Sequence, residues 1–416
     1  MKYDIAVIGG GPAGLMAAGR AGESGAQVVL LEKNLRPGLK LLMTGNGRCN
    51  ITSQIETPRL LVEKYGPSGK FLFSALSEFG PSEVIEFLEN RGVAIKVEAG
   101  GRVFPKSDKA QDVLEALFNY LKESKVKIKT GAEVQEIVKK GRKIEKIILA
   151  GGEEVLADKF IIATGGKSYP TSGSTGDGYK WLKKLGHEIV PPAPALTPII
   201  VKDKFVKRLE GLSLKNVKAS LLEITEKNKK PIDSQIGDVM FMADGVSGPA
   251  ILNLSRAAAR ALPAKLRLSL DLFPTLSLEK LDQKIRTDFE SAKNKAIVGF
   301  LEKSWPRRLA ETLAELAGID PQKAVNSVTK DERRKLTELL KDFSLSVYGL
   351  AGFDRAMITS GGVKLSEIDP KTMKSKLIDN LYLAGEILDI DGPTGGFNLQ
   401  VCWSTGYRAG QSAAQA

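Results

Sequence analysis

Cysteine and histidine are almost missing from this chain: 416 residues contain two of the first and one of the second. That nearly excludes a structural zinc centre, which takes four such ligands. No metal is expected. Cys49 and Cys402 make no disulfide framework, so a reducing cytoplasm is the expected home. Long apolar runs are missing too. A membrane helix takes about 20 consecutive apolar residues, and no run here approaches that. The first run, Ile5 to Ile8, leads directly into glycines, which is unlike a signal peptide. No membrane partner is expected.

Basic charge is in excess. Lys plus Arg number 61 against 49 Asp plus Glu, a formal net charge of +12. Between Ala195 and Leu345 there are 27 basic and 20 acidic residues, so this middle stretch carries much of the excess. Lys202, Lys204, Lys207, Arg208, Lys215 and Lys218 lie close together there, as do Lys227, Lys229 and Lys230, then Arg307-Arg308 and Arg333-Arg334-Lys335. Two readings follow: a solubilising surface, or a polyanionic partner such as RNA.

The first thirty-two residues carry the strongest signal. Ile5 to Ile8 is a strand-like run. It enters Gly9-Gly10-Gly11-Pro12-Ala13-Gly14, then a helical pattern, then a second apolar run, Val28 to Leu31, ending on Glu32. Gly9 permits the tight turn, Gly11 lets backbone approach a pyrophosphate, and Gly14 lets helix pack on sheet. The helix start offers free N–H groups to phosphate. An acid about twenty residues on can hold ribose hydroxyls. Both NAD and FAD meet these demands.

Further along, Thr44-Gly45-Asn46-Gly47-Arg48-Cys49-Asn50 is a second glycine-rich turn, read as a loop around the pyrophosphate and the reactive ring. Helical spacing covers 68–92 and 108–121, and 136–149 reads as a hairpin about Gly141-Arg142. Asp158 to Gly166 is a buried strand ending in Ala163-Thr164-Gly165, small enough to pass beside a dinucleotide. Pro191-Pro192-Ala193-Pro194 fits neither helix nor central strand and marks a boundary. Short apolar runs between turns, from Leu196 to Phe273, suit a small β-rich domain, and 275–342 reads as helices. Strand character returns after Thr359. Leu381 to Gly385-Glu386 is followed by a polar loop and by a helix starting near Asn398, whose N–H groups would face a ring carbonyl that becomes anionic on reduction. The two chain ends are therefore expected to build one domain.

Together these segments resemble the bacterial FAD-binding oxidoreductases of the BaiN/RdsA type, also labelled aminoacetone-oxidase-like, within the glutathione-reductase-type flavoprotein fold. The resemblance covers almost the whole chain. Its specific pieces are Gly9 to Gly14 with Glu32, Thr44 to Asn50, Gly101 to Pro105, Ala163 to Gly166, Ser247-Gly248-Pro249, and Gly385-Glu386 through Gln400. It implies an α/β protein: a split Rossmann-type FAD-binding domain (1–194 and 346–416), an inserted β-barrel-like domain (195–274) and a small helical domain (275–345). It implies FAD, with Gly11, Ala13 and Gly14 at the pyrophosphate, Glu32 at the adenosine ribose and Val134 at the adenine by its backbone, and with Gly9 and Lys33 also among the cofactor-binding residues. Thr44, Gly45, Arg48, Cys49 and Asn50 would lie on the pyrophosphate and flavin side, with Ala163, Thr164 and Gly165 flanking the dinucleotide. Gly385, Glu386, Gly396, Asn398 and Leu399 would hold the ribityl chain and the pyrimidine edge. Many relatives carry a Thr-His pair where this chain has Met242-Ala243. The lone His187, at a helix-to-strand junction, is expected to be structural.

The chemistry implied is hydride transfer at the flavin. No second full GxGxxG unit is present, so NAD(P)H would serve as a transient electron donor at an open flavin face. The leading expectation is reduction of a C=C bond, with uridine in 23S ribosomal RNA as substrate and dihydrouridine as product. The competing expectations are an oxygen-using oxidase of a small amine such as aminoacetone, and a non-catalytic RNA-associated flavoprotein. Cys49, the only thiol in a cofactor-facing motif, is the candidate acid, against a plain packing role.

Overall fold

The computed structural model describes residues 2–55, 57–225 and 229–416; Lys227, in one basic cluster, lies outside them. The chain forms two compact units, one built from 1–194 with 353–416, the other from 195–352.

The first unit is built on a Rossmann-type sheet. Its first strand, Lys2–Ile8, pairs in parallel with Val28–Leu31 on one side and Glu154–Ile162 on the other. Lys127–Lys129 extends the sheet beyond Val28–Leu31. Leu381–Leu383, from the far end of the chain, pairs in parallel with Glu154–Ile162. The fully apolar stretches of these strands are buried, as expected of parallel strands covered on both faces. The hairpin about Gly141-Arg142 forms, joining Val134–Lys140 to Lys143–Leu149.

Two helices cover the centre of this sheet: the fingerprint helix, Pro12–Glu23, and the closing helix, Phe397–Gln415. They meet through small residues. A methyl group on Gly406 would lie 2.5 Å from the Ala13 carbonyl oxygen, and one on Gly410 would lie 2.3 Å from that of Ala17. Glycine at both positions therefore lets the backbones touch. The helical reading of 68–92 and 108–121 resolves into Gly69–Glu78, Pro81–Glu89 and Ala110–Glu123. The proline-rich boundary is itself a strand, Ile189–Ala195, paired with Ile358–Val363 in a two-stranded ladder. A ladder of two has no central strand, so prolines are tolerated.

The second unit is a closed antiparallel barrel with helices packed on it. Around the barrel run Ile199–Val201, Gly245–Ser247, Lys229–Met242, Ser213–Ile224, Leu266–Asp271 and Phe343–Leu350. The last strand lies beyond the helical segment and closes the barrel against Ile199–Val201. Its alternation is clean: Phe343, Leu345 and Val347 are buried, while Ser346 and Tyr348 face out. The helices Leu278–Glu290, Ile297–Leu301, Arg307–Leu316 and Lys330–Lys341 share one apolar core with the barrel. Phe343 stands edge-on to both Phe205 and Phe241 in that core, at 5.7 and 6.2 Å.

Candidate functional site

The fingerprint turn is shaped by contact as much as by backbone freedom. Gly9 has φ +103°, and a methyl group there would lie 2.6 Å from the Ala163 carbonyl oxygen. Gly14 packs even more tightly on Gly9, leaving no room for a methyl. The Ala163-Thr164 turn thus runs directly under the first glycine. Gly11 is different: a methyl there would meet nothing within 4 Å, so its face opens onto a cleft. Pro12 starts the helix at a position where no intrahelical N–H is needed.

The cleft is lined by Gly9, Gly11, Ala13, Glu32, Lys33, Val134, Ala163, Thr164, Gly165 and Glu386. Gly14 lies beneath it. Glu32 is buried, and its carboxylate accepts from the backbone N–H of Gly10 at 2.7 Å and from Asn34 at 2.8 and 2.9 Å. The acid therefore ties the second strand to the glycine turn. Lys33 reaches across the cleft and donates to Thr175 at 2.6 Å and Asp177 at 2.9 Å. Burial pushes the Asp177 carboxyl up, but hydrogen bonds from Thr175 and Lys33 outweigh it and hold the group at about 2. The segment Ser172 to Asp177 forms one wall.

A polar network that sequence reasoning missed sits at the Glu386 end. Lys40 donates to Glu386 Oε2 and to Ser168 Oγ, both at 2.7 Å. Ser168 donates to Glu386 Oε1 at 2.9 Å, and the Thr359 N–H donates to the same oxygen at 2.7 Å. Lys40 and Glu386 line the cleft, and so does Cys402. Burial and the Glu386 charge push the Cys402 thiol up to about 12. Gly385 itself is buried, with φ +79°, and its N–H donates to Thr405 at 2.9 Å.

The second glycine turn departs from expectation. Arg48 does not point into the cleft. It donates to Asp108 at 2.7 Å, pairs with Glu98 and lies 4.1 Å from the centre of the Phe104 ring. Two carboxylates and an aromatic face hold the guanidinium outside. Cys49 is fully buried, sits at φ +59° and does not line the cleft. Burial pushes its thiol up to about 12, partly offset by a hydrogen bond with Thr44. Cys49 packs the turn; the cleft's thiol is Cys402. Thr44 donates to the Leu41 carbonyl at 2.7 Å. Gly45, at φ +58°, lies against Asn50 and Phe104.

Asn50 and the start of the closing helix support one another. With its amide oriented to donate to the Val103 and Thr52 carbonyls at 3.2 Å, Asn50 accepts from the Gly396 N–H at 3.1 Å. Gly396, at φ +94°, presses on Thr52, where a methyl group would lie 2.4 Å away. Asn398 folds back on its own loop, accepting from Gly392 N at 2.8 Å and donating to Gly392 O at 3.0 Å. Leu399 is half-buried against the core. None of these four lines the cleft. His187 is buried, with Nδ1 2.9 Å from Glu367 and Nε2 3.0 Å from Ser375. Both ring nitrogens are committed within the fold.

A parallel sheet, a glycine turn opening onto a cleft, and a return of the C-terminal segment to the same cleft define a Rossmann-type nucleotide-dependent enzyme. The family model described as the HI0933-like protein Rossmann domain matches residues 3–412. The chain belongs to that family and is an FAD-dependent oxidoreductase. It is 33% identical over 415 residues to the 3-dehydro-bile acid delta(4,6)-reductase of Clostridium scindens, covering 99% of each chain. It is 28% identical over 413 residues to the ribosomal RNA dihydrouridine synthase of Escherichia coli, covering 99% of this chain and 98% of that one. In fold it is similar to the 3-ketosteroid-delta4-(5alpha)-dehydrogenase of Rhodococcus jostii, with TM-score 0.55, 16% identity, all of this chain covered and 97% of that one.

The residues present fit FAD. The Gly11 face is open beside a helix start, and the Thr164 Oγ1 at the cleft is buried with no hydrogen-bond partner among the described residues. Among those residues, no helix is long and apolar enough to cross a membrane.

Proposed function

We propose that this protein reduces a C=C bond conjugated to a carbonyl, and that its substrate is uridine in ribosomal RNA, with NAD(P)H as electron donor. The observation that carries the reaction is the pair of relatives matched over almost their whole length. One is named a delta(4,6)-reductase and the other a dihydrouridine synthase, and both names describe reduction of a C=C bond. The substrate choice rests on the basic excess of residues 195–345 and on the second name. A cytoplasmic location follows from that substrate.

Bound FAD supplies a hydride, which a proton must accompany to complete the reduced bond. The chain's part is binding and charge. We propose that Gly9, Gly11, Ala13 and Gly14 seat the pyrophosphate at the fingerprint helix, and that Glu32 and Val134 hold the adenosine. Thr164 and Gly165 would flank it, with Gly385 and Glu386 along the ribityl chain and the start of the closing helix at Asn398 and Leu399 beyond. Lys33 acts as a clasp on Asp177, and Asn50 and Gly396 brace that helix start. Lys40 adds a cation that Glu386 and Ser168 hold in place.

A second reading has its own support: the bile acid reductase is the more similar of these two relatives, at 33% against 28%. It makes the substrate an alicyclic enone. Mass spectrometry of ribosomal RNA nucleosides, with and without the gene, tests the first reading. Loss of one dihydrouridine supports it. An unchanged dihydrouridine content removes the RNA substrate, and turnover of an unsaturated 3-oxo bile acid by the purified enzyme would then establish the second.

A further inference from the structure

Many of the cations in the second unit are already neutralised. Arg208 pairs with Glu315 at 2.7 Å, Arg307 with Glu311 at 2.9 Å, Arg333 with Asp282 at 3.0 Å and Arg334 with Glu338 at 3.0 Å. Lys202, Lys204 and Lys207 are exposed and have no ion pair among the described residues. The segment that carries them is laced to the barrel's closing strand. The Lys202 N–H donates to the Ser346 carbonyl at 2.8 Å, and Asp203 accepts from the Ser346 N–H at 2.6 Å. Two residues along the same outward face stands Tyr348, 72% exposed. Its ring has no aromatic or cationic partner among the described residues.

An exposed ring costs free energy in water unless something covers it. An unpaired lysine beside its strand, Lys202, with Lys204 and Lys207 on the turn that follows, calls for an anion. A single-stranded RNA meets both demands, because an unstacked base can lie on the ring while adjacent phosphates meet the ammonium groups. We propose that Tyr348, with Lys202, Lys204 and Lys207, forms a contact for single-stranded RNA on the outer face of the barrel. This rests on the RNA reading above but names a surface remote in sequence from the cofactor motifs.

The test uses the FAD-loaded, full-length protein and a fluorescently labelled uridine-rich oligoribonucleotide, with anisotropy read across a salt series. Tyr348→Ala should weaken binding by roughly ten-fold and leave the salt slope unchanged. Tyr348→Phe should bind as the parent does. Lys202→Ala with Lys204→Ala should lower the slope of log affinity against log salt by about 1.4. FAD content should stay the same in every variant. If the parent binds RNA and Tyr348→Ala binds equally well, the surface is wrong while the RNA reading stands. If the parent ignores RNA but binds phosphatidylserine vesicles, the patch serves a membrane and the proposal is overturned. If it binds neither, the surface fails, and the nucleoside measurement decides the substrate separately.

Discussion

Gly385 packs on Ala13, which lines the cleft: a methyl group added to Gly385 would lie 2.7 Å from the Ala13 Cβ. One belongs to the fingerprint helix and the other to the C-terminal return. Gly385 also holds φ +79°, where side chains are strained. Gly385→Ala should therefore destabilise by about 2 kcal/mol through strain and crowding. It should also purify with less FAD than the parent, read from the flavin absorbance per chain. Full cofactor content at unchanged melting temperature would contradict the tight approach.

The Lys40–Glu386 pair is mostly shielded, with side chains 20% and 17% exposed. Removing one partner leaves the other charge poorly solvated. Lys40→Met should cost about 2–3 kcal/mol in urea unfolding, less than a fully buried pair would. The double variant with Glu386→Leu should recover part of that loss, because no orphan charge remains. A double-variant loss equal to the sum of the Lys40→Met and Glu386→Leu losses would mean that the two residues do not interact.

The two thiols should separate by access. Both are pushed up to about 12, so alkylation near neutral pH will be slow for each. Cys402 lines the cleft while Cys49 is fully buried, so in FAD-free protein Cys402 should be modified first. FAD should protect it. Mass spectrometry of the peptides gives the order. Cys49→Ala should keep turnover within about two-fold and lose about 1–2 kcal/mol of stability, as expected for a small packing residue.

His187 sets a pH dependence. Burial lowers its pKa, and the hydrogen bond it donates to the Glu367 carboxylate only partly restores it. The folded state thus holds a neutral ring, while the unfolded chain takes up a proton near the ordinary value of about 6.5. The contribution is fully present above that value and is lost as pH falls through it towards the folded pKa. Urea midpoints at pH 8 and pH 5 should fall more for the parent than for His187→Gln. Parallel lines would contradict this.

What was legible in the sequence was local. Gly9 to Glu32 spans one strand, turn, helix and strand, and short-range spacing encodes all of it. The Ala163-Thr164 turn and the Gly385-Glu386 return were legible because each follows an apolar strand. The Lys40–Glu386 pair joins positions 346 residues apart. No spacing rule links Lys40 to its partner. Cys402 was hidden for the same reason, inside a helix rich in small residues. Arg48 misled because its motif is close in sequence to the phosphate site, yet Glu98 and Asp108 draw its side chain the other way. The strand Phe343–Leu350 carries the two-residue alternation of a barrel wall, and it went unread beside the long helical stretch before it.

The ladder that holds the proline-rich strand Ile189–Ala195 against Ile358–Val363 has a counterpart inside the inserted unit, where Ile199 pairs with Leu350 and Val201 with Val347. The chain thus leaves the first unit from one strand of a ladder and re-enters it on the partner strand, and the second unit begins and ends on paired strands in the same way. Strand neighbours lie about 5 Å apart, a gap that one or two residues can bridge. The second unit is thus one continuous segment, 195–352, set between two strands of the first unit's ladder. A segment entered and left on paired strands can be lengthened, replaced or removed without stretching the chain that frames the cofactor cleft.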